Sequence, residues 1–254
     1  KKVSDMSDEM IIGRNPVIEA LKSGREMNKI LLSEHISKQT EREVQQLAKK
    51  ANTIVQKVPK QRLDQMTKGK HQGIIAYVSS YTYSTVEDIL SRAEERNEAP
   101  CIMILDELED PHNLGAILRS ADATGAHGVI IPKRRAVGLT ETVAKASAGA
   151  IEHVPVARVT NIADTIDRLK EDNIWVVGTD ERGSKDFRTL DGDTPLAIVI
   201  GNEGKGISRL VKKKCDWLVH LPMEGSITSL NASVAASLLM YEIYRKRHPL
   251  GDSL

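Results

Sequence analysis

The sequence predicts an α/β protein in two parts, a small N-terminal α/β module and a larger C-terminal domain built on a mostly parallel sheet. Three observations carry this. From Cys101 onward, short apolar runs rich in Val and Ile alternate with longer segments of helical period, the pattern of repeated β-α units. Charge divides near the same place: residues 11–80 hold 13 Lys and Arg against 6 Asp and Glu, and residues 81–254 hold 21 against 26. Finally, the run Ala197 to Ile200 breaks into Gly-Asn-Glu-Gly-Lys-Gly and then Ser208, which reads as a buried strand, a glycine turn and a helix cap.

Bulk properties narrow the class. A chain of 254 residues can bury a proper core, and 40% hydrophobic with 28% charged residues is ordinary for a globular protein. Aromatics are 3%, so aromatic stacking platforms for bases are scarce. Cys101 and Cys215 stand apart with no C-x-x-C spacing, and no signal-peptide pattern or membrane-length apolar run is present; a reduced, cytoplasmic setting is expected, with both thiols packed as small apolar groups. The basic N-terminal third points to a polyanionic partner, or to a solvated Lys-rich surface.

Taken in order, residues 1–10 read as a disordered lead-in. Asn15-Pro16 starts a helix ending near Gly24, with Asn15 as its cap. Strands are expected at Lys29 to Leu32, Thr53 to Val58 and Gly73 to Val78. A helix capped by Ser37 runs to about Ala51, and a short one spans Lys60 to Thr67. The loop TKGKHQG places Lys68, Lys70 and His71 together; Arg14, Lys60 and Arg62 join them as candidate RNA-phosphate ligands. These cations are equally satisfied by solvent, and the RNA role is favoured because the whole module is basic; residues 9–79 are expected to form an RNA substrate-binding domain, and 80–100 a linker carrying an amphipathic packing helix (Val86, Ile89, Leu90, Ala93). The remainder, 101–250, is the second domain. Its strands are Cys101 to Asp106, Val129 to Ile131, Val154 to Ala157, Ile174 to Thr179, Leu196 to Ile200 and Asp216 to Leu221. Its helices are capped by Asn113, Asn161 and Asn231, with another over Thr140 to Ser147.

Three stretches hold candidate chemistry. GNEGKG is neither a Walker A loop nor GxGxxG; its glycines admit close backbone approach, but Glu203 in the middle repels a phosphate. Alone, it is satisfied by a tight turn. Asn113 and Arg119 lie six residues apart at a helix start, where capping and an ion pair with Asp122 are sufficient roles. GSITSLNASVAAS offers Gly225, Ser226, Thr228, Ser229 and Asn231 as small hydrogen-bonding groups ending at a helix cap. His112, His127, His153 and His220 have no metal-ligand spacing, and none is expected to bind metal.

In order, DELEDPHNLGAILRSADATG, IVIGNEGKGIS and LPMEGSITSLNASVAASLLMYE resemble the three motifs of the SpoU/TrmH branch of the SPOUT RNA methyltransferases. The resemblance covers residues 101–247, and the N-terminal part is similar to the ribosomal-protein-like RNA-binding domain of the RlmB-like group, which methylates guanosine 2′-O in 23S ribosomal RNA. It implies a trefoil knot, a homodimer through the C-terminal domain and S-adenosylmethionine as cofactor. On the matching positions, it implies a catalytic cluster of Asn113, Arg119, Glu203, Ser229 and Asn231. It implies cofactor contacts from Thr179, Ile200, Gly201, Gly206, Leu221, Met223, Ser229 and Leu230. Glu203 and Asn113 would then orient Arg119. The alternatives are the same chemistry on transfer RNA or on a ribosomal adenosine, or a non-catalytic RNA-binding or ribosome-assembly protein.

Overall fold

The computed structural model describes residues 10–79, 81–226 and 229–250. The expected lead-in lies outside them, apart from Met10, as does Thr228 of the polar loop. The chain divides into two compact units, one running to Thr82 and including Gly138–Glu141, the other holding Tyr83–Val137 and Thr142 onward.

The first unit is a four-stranded mixed sheet. Its strands are β1 (Met10–Ile12), β2 (Met27–Ser33), β3 (Ile54–Val58) and β4 (Ile74–Val78), in the order β1-β4-β2-β3. β1 was not expected; it is three residues long, too short for a period-2 pattern to register, and it is fixed by antiparallel pairing with β4. Helices α1 (Arg14–Lys22) and α2 (Lys38–Lys50) cover one face and α3 (Lys60–Met66) the other. The strand period accounts for this: Ile30 and Leu32 of β2 join Val17, Leu21 and Val44, whereas Leu31 between them joins Leu63. α1 corrects the expected cap. It begins at Arg14, before Asn15, and its N-cap is Gly13 at φ 101°, so Asn15 and Pro16 fall within the first turn. Ser37 does cap α2, accepting from the Thr40 N–H.

The second unit is a seven-stranded, wholly parallel sheet. Its strands are β5 (Cys101–Leu105), β6 (Gly128–Pro132), β7 (Val156–Val159), β8 (Trp175–Thr179), β9 (Lys185–Asp186), β10 (Leu196–Ile200) and β11 (Trp217–His220), ordered β7-β6-β5-β10-β8-β11-β9. β9, two residues at the edge, was not expected. The order turns outward in both directions from β5 and β10, which creates a switch point where ligands bind at strand C-terminal ends. One face packs α4 (Val86–Glu95), α7 (Ile162–Glu171) and α8 (Arg209–Lys214) through Ile89, Ile166, Leu169 and Val211. α5 (Pro111–Thr124) and α9 (Ala232–Arg247) pack on each other and reach β6 and β10; the short α6 (Glu141–Ala146) lies between β6 and β7 in sequence. Thr85 and Asp88 form a reciprocal capping box at the start of α4. Gly125, left-handed at φ 72°, ends α5. Burial pushes the Cys101 thiol up to about 11; burial and then Asp216 push Cys215 up to about 12. Both stay protonated thiols at neutral pH.

Gly115 shows how closely α5 is packed. A Cβ there would lie 2.4 Å from the Ala146 Cβ and 2.9 Å from backbone. Alanine gains about 1 kcal/mol over glycine in a helix interior, but overpacking against backbone costs about 1–3 kcal/mol. Gly115→Ala is therefore expected to leave the protein less stable, read as a lower urea midpoint at unchanged slope; an unchanged or higher midpoint would show that the contact yields freely.

Candidate active site

At the C-terminal ends of β8, β10 and β11 lies a cavity of about 400 Å³. Thr179, Ile200, Gly201, Gly206, Leu221, Met223, Ser229 and Leu230 all line it. The glycine loop forms its wall. Asn202 and Gly206 exchange two backbone hydrogen bonds, at 3.1 and 2.8 Å, closing residues 202–206 into a small ring. The Asn202 side chain organises the turn from both ends. Its Oδ1 accepts from the Gly204 N–H at 2.9 Å, and its Nδ2 donates to the Glu107 carbonyl at 3.1 Å. Gly201 is obligatory here, because a Cβ would stand 2.2 Å from the Gly206 carbonyl carbon. Ser208 precedes α8 without a side-chain capping bond; buried Asp106 accepts its N–H instead, at 2.7 Å.

At the rim, three polar side chains interlock. Glu203 Oε1 accepts from Asn113 Nδ2 at 2.9 Å, from Asn231 Nδ2 at 2.5 Å and from the Ala232 N–H at 3.3 Å. Asn231 Nδ2 also donates to Asn113 Oδ1 at 2.9 Å. Asn231 caps α9 as expected, its Oδ1 accepting from the Ser233 and Val234 N–H groups. Asn113 does not cap α5. Asp110 does, accepting from the His112 N–H, and Pro111 follows at the first helical position. That leaves Asn113 as the third residue of the helix, buried, its side chain free for Glu203.

Arg119 stands apart. It is exposed, and no hydrogen bond or ion pair joins it to Glu203, Asn113 or Asp122 among the described residues. The reason is helical phase. Six residues advance about 600° at 100° each, so Arg119 points about 120° away from Asn113 around α5. The expectation that Glu203 and Asn113 hold Arg119 is overturned: they hold each other and Asn231.

In the first unit, Lys60, Arg62, Lys68 and Lys70 are exposed. Arg14 opens α1, where its N–H donates to Gln72 Oε1 at 3.0 Å and its Nη2 meets Glu43 at 3.4 Å. His71 is not available to RNA. Its side chain is buried, with Nε2 2.7 Å from Asp64 Oδ1 and Nδ1 accepting from the Gly73 N–H at 2.9 Å. It ties the loop to α3, and both ring nitrogens are used.

Comparison with known proteins decides the family. Residues 100–241 match the SpoU rRNA methylase family, and residues 10–84 match the substrate-binding domain of RNA 2′-O-ribose methyltransferases. The chain belongs to the SpoU rRNA methylase family. YacO of Bacillus subtilis, named for the TrmH family of tRNA/rRNA methyltransferases, is 60% identical over 96% of this chain and 98% of its own. A Staphylococcus aureus protein named for the same family is 55% identical over 97% and 100%. Among solved structures, the SpoU methyltransferase AviRb of Streptomyces viridochromogenes, in complex with AdoMet, aligns at TM-score 0.60 and 29% identity, covering 94% and 90%. An AdoMet-bound rRNA methyltransferase from Sinorhizobium meliloti aligns at 0.56 and 25%, covering 95% and 88%.

As a SpoU family member the protein is an S-adenosylmethionine-dependent RNA 2′-O-ribose methyltransferase, and the cavity can be tested for that cofactor. Its volume lies within the range of about 300–1,000 Å³ usual for ligand sites. Ile200, Leu221, Leu230 and Leu239 supply apolar wall for a neutral adenosine. Asp180, Glu181 and Glu203 outnumber Lys205, which suits a cationic sulfonium and disfavours a triphosphate. The residues fit the group. Sequence reasoning missed Asn202, although Asn at the head of N-E-G is a readable Asx-turn signal. It also missed Asp180, Glu181 and Leu239, for which no local pattern exists. Asp180 carries a carboxyl held below its ordinary value: burial opposes this, but Lys212 and the Arg182 N–H win.

Two variants separate scaffolding from function. Asn113→Ala removes one bond to Glu203 and one from Asn231, and should lower stability by about 1–3 kcal/mol while weakening S-adenosylmethionine binding by calorimetry. His71→Ala should lower the urea midpoint with RNA affinity per folded molecule unchanged; a loss of RNA affinity at full stability would return His71 to the RNA-binding set.

Proposed function

We propose that this protein methylates the ribose 2′-OH of a guanosine in 23S ribosomal RNA or its precursor, as a homodimer and in the cytoplasm. The observation that carries the chemistry is the interlocked Asn113, Glu203 and Asn231 at the mouth of a cavity that fits S-adenosylmethionine. What supports ribosomal RNA is the match of most of the second unit to an rRNA methylase model, together with a basic first unit that matches a substrate-binding domain. Transfer RNA is the competing substrate, since the curated relatives carry both in their names.

When bound, the cofactor would supply an electrophilic methyl carbon, whose bond to sulfur breaks with the electron pair passing to sulfur as a neutral thioether. The chain's residues do the rest. Thr179, Ile200, Gly201, Gly206, Leu221, Met223, Ser229 and Leu230 shape the cofactor's place, and the knot of the family would fold the loop 201–206 around it. Glu203 and the two asparagines position that loop against α5 and α9. The ribose oxygen must lose its proton as it bonds to carbon. The Arg119 guanidinium binds a neighbouring phosphate and offsets the negative charge developing on that oxygen. The proton leaves to that phosphate or to water. Arg14, Lys60, Arg62, Lys68 and Lys70 give the first unit its hold on RNA phosphates. For the dimer, the support is α9, which exposes Val234, Leu238 and Tyr241 at spacings of four and three residues, one stripe of a helix.

Mapping ribose methylation in ribosomal and transfer RNA from cells with and without the protein tests the substrate; loss of a mark in transfer RNA alone overturns the ribosomal assignment. Arg119→Lys should lose most activity if a bidentate phosphate clamp is required. Full activity with an unchanged pH profile excludes the clamp. Leu238→Asp should convert the dimer to monomer by sedimentation; an unaltered sedimentation coefficient removes α9 from the interface.

A further inference from the structure

The second unit carries a cluster of cations that neither the motifs nor the cofactor site accounts for. Lys133, Arg134 and Arg135 follow directly from Pro132, the last residue of β6. Arg158, in the neighbouring strand β7, lies 4.2 Å over the Tyr83 ring. Lys133 Nζ donates to Thr160 Oγ1 just past the end of β7, at 2.9 Å. Burial, and then the charge of Arg158, hold the Lys133 amine below its ordinary value. Opposing them are Glu107, which Arg135 Nη1 meets at 2.7 Å, and the exposed Glu109. Arg134 is exposed, with no hydrogen bond or ion pair among the described residues.

The position of this turn matters more than its charge. It sits at the C-terminal end of the parallel sheet, the end at which the cofactor cavity opens. It is also fastened to the cavity wall through a short relay. Arg135 holds the Glu107 carboxylate, the Glu107 carbonyl accepts from Asn202 Nδ2, and Asn202 closes the loop that bears Glu203. Val137 N–H adds a bond to the Leu108 carbonyl at 3.0 Å. Two members of the relay need unusual backbone: Glu107 and Arg135 are left-handed at φ 60° and 55°. A non-glycine residue in that region is uncommon and is kept there by its surroundings. A cationic turn tethered to the catalytic loop, with one arginine projecting into solvent, is arranged to meet an anion arriving at the site.

We infer that the turn Lys133-Arg134-Arg135 is an RNA-phosphate contact on the methyltransferase unit itself, with Arg134 as the residue that meets phosphate and its two neighbours holding the turn in place. The first unit then need not supply all of the affinity, and RNA is gripped beside the loop where the methyl group is transferred. Phosphate binding of this kind is independent of sequence, so the contact does not depend on which RNA is methylated.

The test uses the full chain and transcribed, unmodified 23S ribosomal RNA, with filter binding across a potassium chloride series. Arg134→Gln should weaken binding several-fold at physiological salt and flatten the log–log salt slope by about 0.7–0.9. Arg134→Glu should weaken it further, and Arg134→Lys should keep most of it. S-adenosylmethionine affinity and the urea midpoint should match the parent in all three. A slope equal to the parent's in the Gln and Glu variants overturns the contact, and so does a loss of RNA binding that comes with lost cofactor affinity or lost stability.

Discussion

The second unit's site depends on one carboxylate oxygen. Glu203 Oε1 takes donors from three places: Asn113 in the first turn of α5, Asn231 before α9, and the first N–H of α9. That last donor is one of the four that a helix cannot satisfy internally. Asn231 takes the next two, at Ser233 and Val234. A negative charge also lies favourably at a helix N-terminus. At this exposure each bond is worth about 1 kcal/mol, so the trio is no large source of stability. What it fixes is geometry. Three segments 90 and 28 residues apart in sequence are brought to one atom, and that atom sits on the loop that walls the cavity.

The loop can be held there only because it is compact. Gly201 lets backbone pass within contact of Gly206 and Ile207, the paired bonds between Asn202 and Gly206 close the ring, and Asn202 anchors it to the end of β5. Each device replaces a longer, slacker connection. The cavity is therefore bounded on one side by a structure with little freedom to reorganise, which is what a cofactor held by backbone and apolar contacts needs. Thr179 extends the same economy into the sheet, its hydroxyl donating to the Val199 carbonyl of the next strand while its residue lines the cavity.

Much of this was readable in advance. The apolar, Val- and Ile-rich runs of β5 and β10 are buried along their whole length, so they announce strands, whereas the partly exposed β7 lies at Val156–Val159, two residues later than expected. Ser37, Asn161 and Asn231 cap the helices they precede. The misses have physical causes. Asn113 looked like a cap because Asn is a good one; Asp110 followed by Pro111 is a better one, and it displaced the helix start by three residues. That error hid the more informative fact, that a buried Asn inside a helix must have a partner. His71 looked like a loop cation, but burial and two hydrogen bonds make it a fastener. The cap could have been read locally from Asp110-Pro111, and the partners of His71 are near in sequence, at Asp64 and Gly73; only the partner of Asn113, Glu203, is distant, 90 residues away.

The separation of Arg119 from the trio changes how the two charges of the site divide their work. Had Glu203 paired with Arg119, each would have neutralised the other, and under the proposed function the arginine would have met RNA with little field to offer. Instead the carboxylate is spent on amide donors, which carry no charge, and the guanidinium stays whole. The same division recurs at the basic turn after β6, where Arg135 is held by Glu107 while Arg134 beside it is exposed. In both places one polar group is committed to holding the frame and a neighbouring cation is left to the solvent side. An enzyme whose substrate is a polyanion gains from that arrangement, because a cation already paired within the protein must break that pair before it can bind a phosphate.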